Sequence, residues 1–376
     1  MPIHLVSAAL CSLGLAAVAA AQVAAPTAPA PAQGAVGAVD PALVERFLEE
    51  STPGSLAIHA VQGTADGPAV GAAEIEIDYY HNDRLFRQAT GRLDDSGVVV
   101  LDDVPIALGV TPVVRIQHAG VTYVEVGPMM DAAHPEAVVT LTVYEITDDA
   151  PDWEIAMRHV MVEPSAEGAR VGETLVVESP ADRTWLGSPA DAAGKRSTVR
   201  LRLPAGARDV RLTSGFHGWC CTTLDSDEVA VQMPLMPGRT TFRYSYLVPA
   251  RAGEADIRVT APAPTRSAVF FVPEGAGAMR AVGLEDAGPQ QMGTADPVRM
   301  FQGQSIAAGR EAGVVLTGGA ARAAGGGGGG GGAAAHARLL ALIGAGVLVL
   351  VAIAVFAARA GGARKASAPH IAAGGS

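Results

Sequence analysis

The 376-residue chain carries 27 basic against 38 acidic residues, a formal net charge of −11. That acidity argues against nucleic acid or anionic lipid headgroups as partners and favours solubility of whatever is not membrane-embedded. Three cysteines in a chain of this length exclude a disulfide-stapled scaffold.

The N-terminus, MPIHLVSAALCSLGLAAVAAAQ, is a short apolar core followed by Ala19, Ala20 and Ala21. Small residues at this spacing predict signal-peptide cleavage before Gln22, so 1–21 is assigned as a signal peptide. An N-terminal membrane anchor is the alternative, and the absence of Lys or Arg before the apolar core leaves it standing. Residues 22–54 are an Ala/Pro-rich linker and a short helix. In that segment Asp40 suits an N-cap, Pro41 the first helical position, and Leu43, Val44, Phe47 and Leu48 one apolar face.

From Ser55 the period changes to two. Glu74-Ile75-Glu76-Ile77-Asp78-Tyr79 alternates strictly, as a strand with one buried face must. Similar runs at 56–61, 85–89, 98–101, 113–117, 121–126 and 138–144 are separated by His81-Asn82-Asp83, Asp94-Asp95-Ser96-Gly97 and His118-Ala119-Gly120. Short strands at this spacing predict an antiparallel β-sandwich over 55–147. The polar, Pro-broken stretch Asp148-Asp149-Ala150-Pro151-Asp152 marks a boundary. A second β-rich domain is expected over 152–317, with strands at 155–162, 174–178, 198–203, 209–212, 229–232, 240–247, 257–259 and 268–272, and with 298–302 and 314–317 read as closing strands, the alternative being that 279–317 belongs to the stalk.

The run from Gly63 to Ile77, GTADGPAVGAAEIEI, followed by Asp94-Asp95-Ser96-Gly97 and the strand ending at Val104-Pro105, resembles the bacterial carboxypeptidase-regulatory-like (prealbumin-like) sandwich domains. The resemblance covers about 90 residues. It implies a structural or recognition module, and no zinc-ligand motif or peptidase chemistry accompanies it. Further on, 179–187 and 203–207 are similar to runs in membrane-anchored bacterial surface proteins, a likeness that implies no activity.

Residues 318–338 form a Gly-rich stalk with eight consecutive glycines at 325–332. As a flexible coil of about 20 residues it reaches about 25 Å on average. The uncharged run LLALIGAGVLVLVAIAVFAA at 339–358 follows. About twenty residues at 1.5 Å each match a hydrocarbon core of about 30 Å, which predicts one transmembrane helix in contact with the lipid bilayer. A buried core helix is the alternative. Arg359, Arg364 and Lys365 in the tail, 359–376, predict a cytoplasmic C-terminus and a single-pass protein with its bulk extracytoplasmic. Without those three the remainder holds 24 basic and 38 acidic residues. The Ala/Gly-rich bias, with lysine only at 195 and 365 and Asn82 the one asparagine, suggests a GC-rich bacterial source. The expected architecture is therefore all-β: two tandem antiparallel β-sandwich domains, a stalk and one span.

For chemistry, the unusual cluster is Phe216-His217-Gly218-Trp219-Cys220-Cys221. With Cys11 removed with the signal peptide, Cys220 and Cys221 pair with each other, pair across chains or stay reduced. A disulfide between neighbours is strained and reducible. One functional reading is a redox switch. Another is a soft-metal site of His217, Cys220 and Cys221, joined by Met233 or Met236. The bland reading is a rigid turn or two core thiols, because no second ligand cluster with metal spacing exists. Acidic pairs at Asp94-Asp95, Asp102-Asp103 and Asp148-Asp149, and the run Asp225-Ser226-Asp227-Glu228, lack the alternating calcium-loop pattern and read as turn residues. His118, His134 and His159 have no spaced partner. Trp153, Trp185 and Trp219 read as core anchors before they read as a binding platform. No hydrolase, P-loop or dinucleotide motif is present. The expectation is a non-enzymatic binding or structural protein with no cofactor, whose partner is a protein or a cell-surface component. The rivals are a redox or metal-handling accessory and a hydrolase with a dispersed site.

Overall fold

The computed structural model describes residues 53–106, 109–191, 194–225, 227–291 and 297–318, together with Arg46. The expected signal peptide, nearly all of the 22–54 segment, the stalk beyond Gly318, the transmembrane helix and the tail lie outside the described residues. Among the described residues no helix is long and apolar enough to cross a membrane.

The first seven strands are β1 (Pro53–Gln62), β2 (Glu74–His81), β3 (Arg84–Arg92), β4 (Val98–Pro105), β5 (Thr111–His118), β6 (Val121–Val126) and β7 (Glu136–Val143). They form a three-stranded sheet, β4-β1-β7, and a four-stranded sheet, β3-β2-β5-β6. One apolar cluster fills the space between them. Leu56 and Ile58 from β1 and Val139, Leu141 and Val143 from β7 meet Ile75, Ile77 and Tyr79 from β2 and Val114 and Ile116 from β5. This is a β-sandwich, and the period-two alternation is what generates it.

Two of its hairpins close by the geometry their sequences demand. Asn82 and Asp83 have φ of 47° and 60° between the paired residues His81 and Arg84, and Ala119 and Gly120 have φ of 49° and 78° between His118 and Val121. Left-handed conformation at both central residues gives a turn whose twist matches the strands. At 94–97, Asp94 Oδ1 accepts hydrogen bonds from the Ser96 and Val98 amides, each 2.9 Å, and from Ser96 Oγ at 2.7 Å. These bonds hold the Asp94 carboxyl below its ordinary range, the Ser96 hydroxyl foremost. Its acidity is thereby used to shape the turn.

The strand pairing is not wholly antiparallel, which corrects the sequence expectation. β1 and β7 run parallel from Ser55↔Glu136 to Gln62↔Val143. Alternation specifies which face of a strand is buried but carries no signal of its neighbour's direction. That direction follows from the chain crossing the other sheet before β7 returns beside β1.

The remaining strands are β8 (Ile146–Thr147), β9 (Glu154–Ser165), β10 (Gly168–Ser179), β11 (Thr184–Trp185), β12 (Val199–Arg202), β13 (Arg208–Ser214), β14 (Thr222–Asp225) and β15 (Glu228–Val231). After them come β16 (Gly238–Pro249), β17 (Glu254–Asp256), β18 (Val259–Thr260), β19 (Thr265–Pro273), β20 (Ala278–Val282), β21 (Glu285–Gln290), β22 (Val298–Ile306) and β23 (Glu311–Thr317). A seven-stranded sheet, β13-β16-β10-β9-β19-β22-β21, dominates. Its inner face meets β12-β15-β14 and a sheet built on β23, so that Val160, Leu175, Phe242 and Phe270 share a core with Leu201, Val229 and Val314. On its outer face Met161, Val269, Phe271 and Val298 form a smaller apolar cluster, with Met300 against it. β9 and β19 pair in parallel, a second departure from the antiparallel expectation. The expected strand at 257–259 is also interrupted. Asp256 Oδ1 accepts the Arg258 amide at 3.1 Å, which breaks the run into β17 and β18.

Candidate functional site

Three groups of polar side chains stand out, and each is built by the strands around it. The first is buried in the large sheet. Glu173 on β10, fully buried, accepts Arg158 Nε and Nη2 from β9, both at 2.9 Å, and Tyr244 OH from β16 at 3.2 Å. Tyr246 OH also donates to it. Glu173 faces Tyr244 directly across β10 and β16, so cross-strand register places the phenol. Burial, reinforced by the Glu173 charge, pushes both phenols well above their ordinary range. For Arg158, burial works against the cation and the Glu173 carboxylate more than offsets it. The carboxylate is enclosed by donors from two neighbouring strands, an arrangement that fixes structure.

The second group joins the two strand sets. β8 pairs in parallel with β11, Thr184↔Ile146 and Trp185↔Thr147. The Thr184 amide donates to Glu145 O at 2.8 Å and Trp185 Nε1 to Asp148 O at 3.2 Å. Tyr123 OH lies 2.8 Å from Thr184 Oγ1 and donates to Tyr144 O at 2.8 Å. Thr64 Oγ1 donates to Asp182 O at 2.7 Å and accepts the Glu145 amide at 2.8 Å. His118 Nε2 and Gln62 Nε2 meet Glu145 Oε1 at 2.9 and 3.0 Å. Leu186 and Met236, from beyond residue 152, pack on the first apolar cluster. Nothing in the sequence pattern signalled this seam, because its strands are two residues long.

The third group is the turn at 216–221. Phe216 anchors it, with ring centroids 5.0 Å from Phe242 and 6.1 Å from Tyr244. Gly215, at φ 82°, precedes it where a Cβ would lie 2.1 Å from Thr241 O, so only glycine fits. At the other end Cys221 O accepts the Gln232 amide at 2.9 Å. Between these anchors Cys220 is exposed and Cys221 half-buried, both as free thiols, with Sγ atoms 3.4 Å apart. Cys220 Sγ donates to His217 O at 2.9 Å. The Cys221 thiol is raised above its ordinary range, first by its hydrogen bond to Cys220 and then by burial, while Lys195 acts the other way. Trp219 is 51% exposed, unlike Trp185 at 6%, so the expectation of a core anchor fails for Trp219.

His217 contributes its carbonyl to this cluster, while Met233 packs on the second core and Met236 on the first. Among the described residues no three His, Cys, Asp or Glu side chains assemble to hold a metal ion. Glu228, at the end of the acidic run, is paired with Arg200 at 2.7 Å and Arg202 at 3.1 Å. His134 pairs with Asp131 at 3.1 Å. His159 is buried opposite Thr174 with its ring edge-on to Phe271, and burial lowers it to about 4. Among the described residues the surface also holds shallow concavities. One of about 320 Å³ is lined by Arg202, Asp227, Asp256, Arg258 and Glu311, and one of about 410 Å³ by Glu76, Asp78, Gln88 and Thr90. In the first, Arg258 is tied to Asp256 and Glu311. In the second, Asp78 is held by Gln88 at 2.9 Å and by Arg115.

Over the described strands, fold and sites together define an all-β body of sandwich type whose buried charges are bound into cross-strand networks. No protein-family model and no curated protein matches the chain. Among solved structures, the aminopeptidase A of Legionella pneumophila, in complex with aspartic acid, aligns at 8% identity over 45% of this chain, with a TM-score of 0.28. That alignment spans only 22% of the aminopeptidase. The shaft pilin SpaA of Lactobacillus rhamnosus GG aligns at 13% identity over 55% of this chain and 92% of its own, with a TM-score of 0.18. The major pilin SpaA of Corynebacterium diphtheriae aligns at 13% identity over 70% and 84%, again at 0.18. Similarities at these scores carry no argument, and the β-sandwich description rests on the strands and cores themselves.

Proposed function

We propose that this chain is a membrane-tethered, extracytoplasmic β-sandwich protein with a structural or binding role and no catalytic one, displayed towards a protein or cell-surface component. In this reading residues 55–147 are a carboxypeptidase-regulatory-like module, 152–317 a second domain, and 318–338 a stalk to a bilayer anchor at 339–358. The separate apolar clusters on either side of 148–152 support the division.

The observation that carries the reading is the seam at Tyr123, Thr184, β8 and β11. Two β units stitched by backbone pairing and buried hydroxyls suit a body that must hold its shape at the end of a tether. The Arg158–Glu173 network supports the same role, because its carboxylate serves four donor atoms within the sheet.

Membrane fractionation of bacteria expressing the full chain tests the proposal. The chain should resist alkaline carbonate extraction, begin at Gln22, and become extractable when truncated before Arg338. Recovery of the full chain in the soluble fraction would contradict the tether.

A further inference from the structure

The turn at 216–221 holds more than a fold requires. Phe216 on the core and the Cys221 carbonyl on Gln232 fix its two ends, which leaves the exposed Cys220 and Trp219 between them. Two thiols on adjacent residues, 3.4 Å apart, occupy that short stretch. Moving from this separation to the covalent S–S distance of about 2.05 Å takes a shift of about 1.4 Å, met by side-chain rotation together with adjustment of the backbone that joins the two residues. Among the described residues these are the free cysteines, so each is the other's nearest oxidation partner.

We propose that Cys220 and Cys221 are a reversible dithiol–disulfide switch, closed by thiol–disulfide exchange with a low-molecular-weight disulfide. The exposed Cys220 thiol loses its proton to solvent, and its thiolate attacks one sulfur of the incoming disulfide. That S–S bond breaks, and the first thiolate leaves and takes up a proton. Cys221, deprotonated in turn, attacks Cys220 Sγ, breaks the mixed disulfide and expels the second thiolate. The pair has lost two electrons and two protons, and the oxidant has become two thiols. Exposure decides the order: Cys220 meets the oxidant, while Cys221 is half-buried and resolves the intermediate.

The switch is labile by construction. Adjacent Cα atoms lie about 3.8 Å apart, below the roughly 4.4–6.8 Å range of unstrained disulfides. Strain of this kind raises the reduction potential, so the bond opens under mild reductant instead of acting as a permanent staple. Closure also redirects the backbone between Gly218 and Cys221, and Trp219 with it. The inference does not depend on the membrane tether.

The experiment uses the mature full chain in detergent, reduced and then equilibrated in glutathione buffers of graded potential. Peptide mapping after alkylation should show both thiols disappearing together, the intact mass falling by two hydrogens without a glutathione adduct, and the chain staying monomeric on a non-reducing gel. Fluorescence should change with the same midpoint, and the change should vanish in Trp219→Phe. Cys220→Ser, which keeps the turn's anchors, should retain one reactive thiol and accumulate a glutathione adduct or a dimer. Two thiols persisting in oxidised glutathione, stable glutathionylation of both, or oxidation only to interchain dimers would each overturn the proposal.

Discussion

Tyr123 OH lies 2.8 Å from Thr184 Oγ1, and this buried contact joins the last strand of one sheet to a two-residue strand that follows β10. The phenol also donates to Tyr144 O, so one side chain binds the edge of the first sandwich to the opening of the seam. Tyr123→Phe should destabilise the folded chain by about 1–2 kcal/mol in urea denaturation, the range for a buried hydroxyl that leaves partners unsatisfied. In a double-mutant cycle with Thr184→Val a coupling of about 0.5 kcal/mol or more is expected. Additive losses would show that the contact does not tie the units together.

The Arg158–Glu173 pair gives a larger effect. Glu173→Gln keeps the shape and strands the Arg158 charge in the core, for an expected loss of about 3 kcal/mol or more. The double variant Arg158→Met with Glu173→Leu, which removes both charges, should recover most of that loss. Urea midpoints for the three proteins decide the matter.

Acid should weaken the fold through His159. Its folded value of about 4 lies below the ordinary value of 6.5, so the unfolded chain binds the proton more readily. The stability it supports is intact above about pH 6.5, falls as pH drops towards about 4, and levels off below that. By pH 5 the loss is about 2 kcal/mol at about 1.4 kcal/mol per unit. A His159→Gln variant should lack this component when urea midpoints at pH 7 and pH 5 are compared.

One glycine before the cysteine turn and one within it separate clash from strain. Gly215→Ala meets Thr241 O and should cost about 2 kcal/mol or more while displacing Phe216. Gly218→Ala, at φ 78° with nothing within 4 Å, should cost only the backbone strain, about 1 kcal/mol. Thermal melts of both variants check the ordering.

Strand positions were legible in the sequence where apolar and polar residues alternate, whereas the weakly patterned β14, β20 and β21 were not. Ile75, Ile77 and Tyr79 on β2 alternate with polar residues, and Asn82-Asp83 marks the turn that follows. The parallel partnership of β1 with β7 was not legible, since strand direction is a property of the whole path. Trp185 and Trp219 look alike in sequence, yet one lies under the seam and the other on an anchored, exposed turn. The Cys220–Cys221 pair was visible as a motif, but its 3.4 Å separation and its two anchors depend on Phe242, Tyr244 and Gln232, all contributed from β16 and the segment before it.

The central proposal, an extracytoplasmic body on a membrane tether, is tested most directly by the chain's two lysines. Lys195 is exposed in the β body, and Lys365 lies beyond the expected span. Intact spheroplasts treated with a membrane-impermeant amine reagent should show Lys195 modified and Lys365 protected until detergent is added. Modification of Lys365 in intact spheroplasts, or protection of both lysines, would contradict the account.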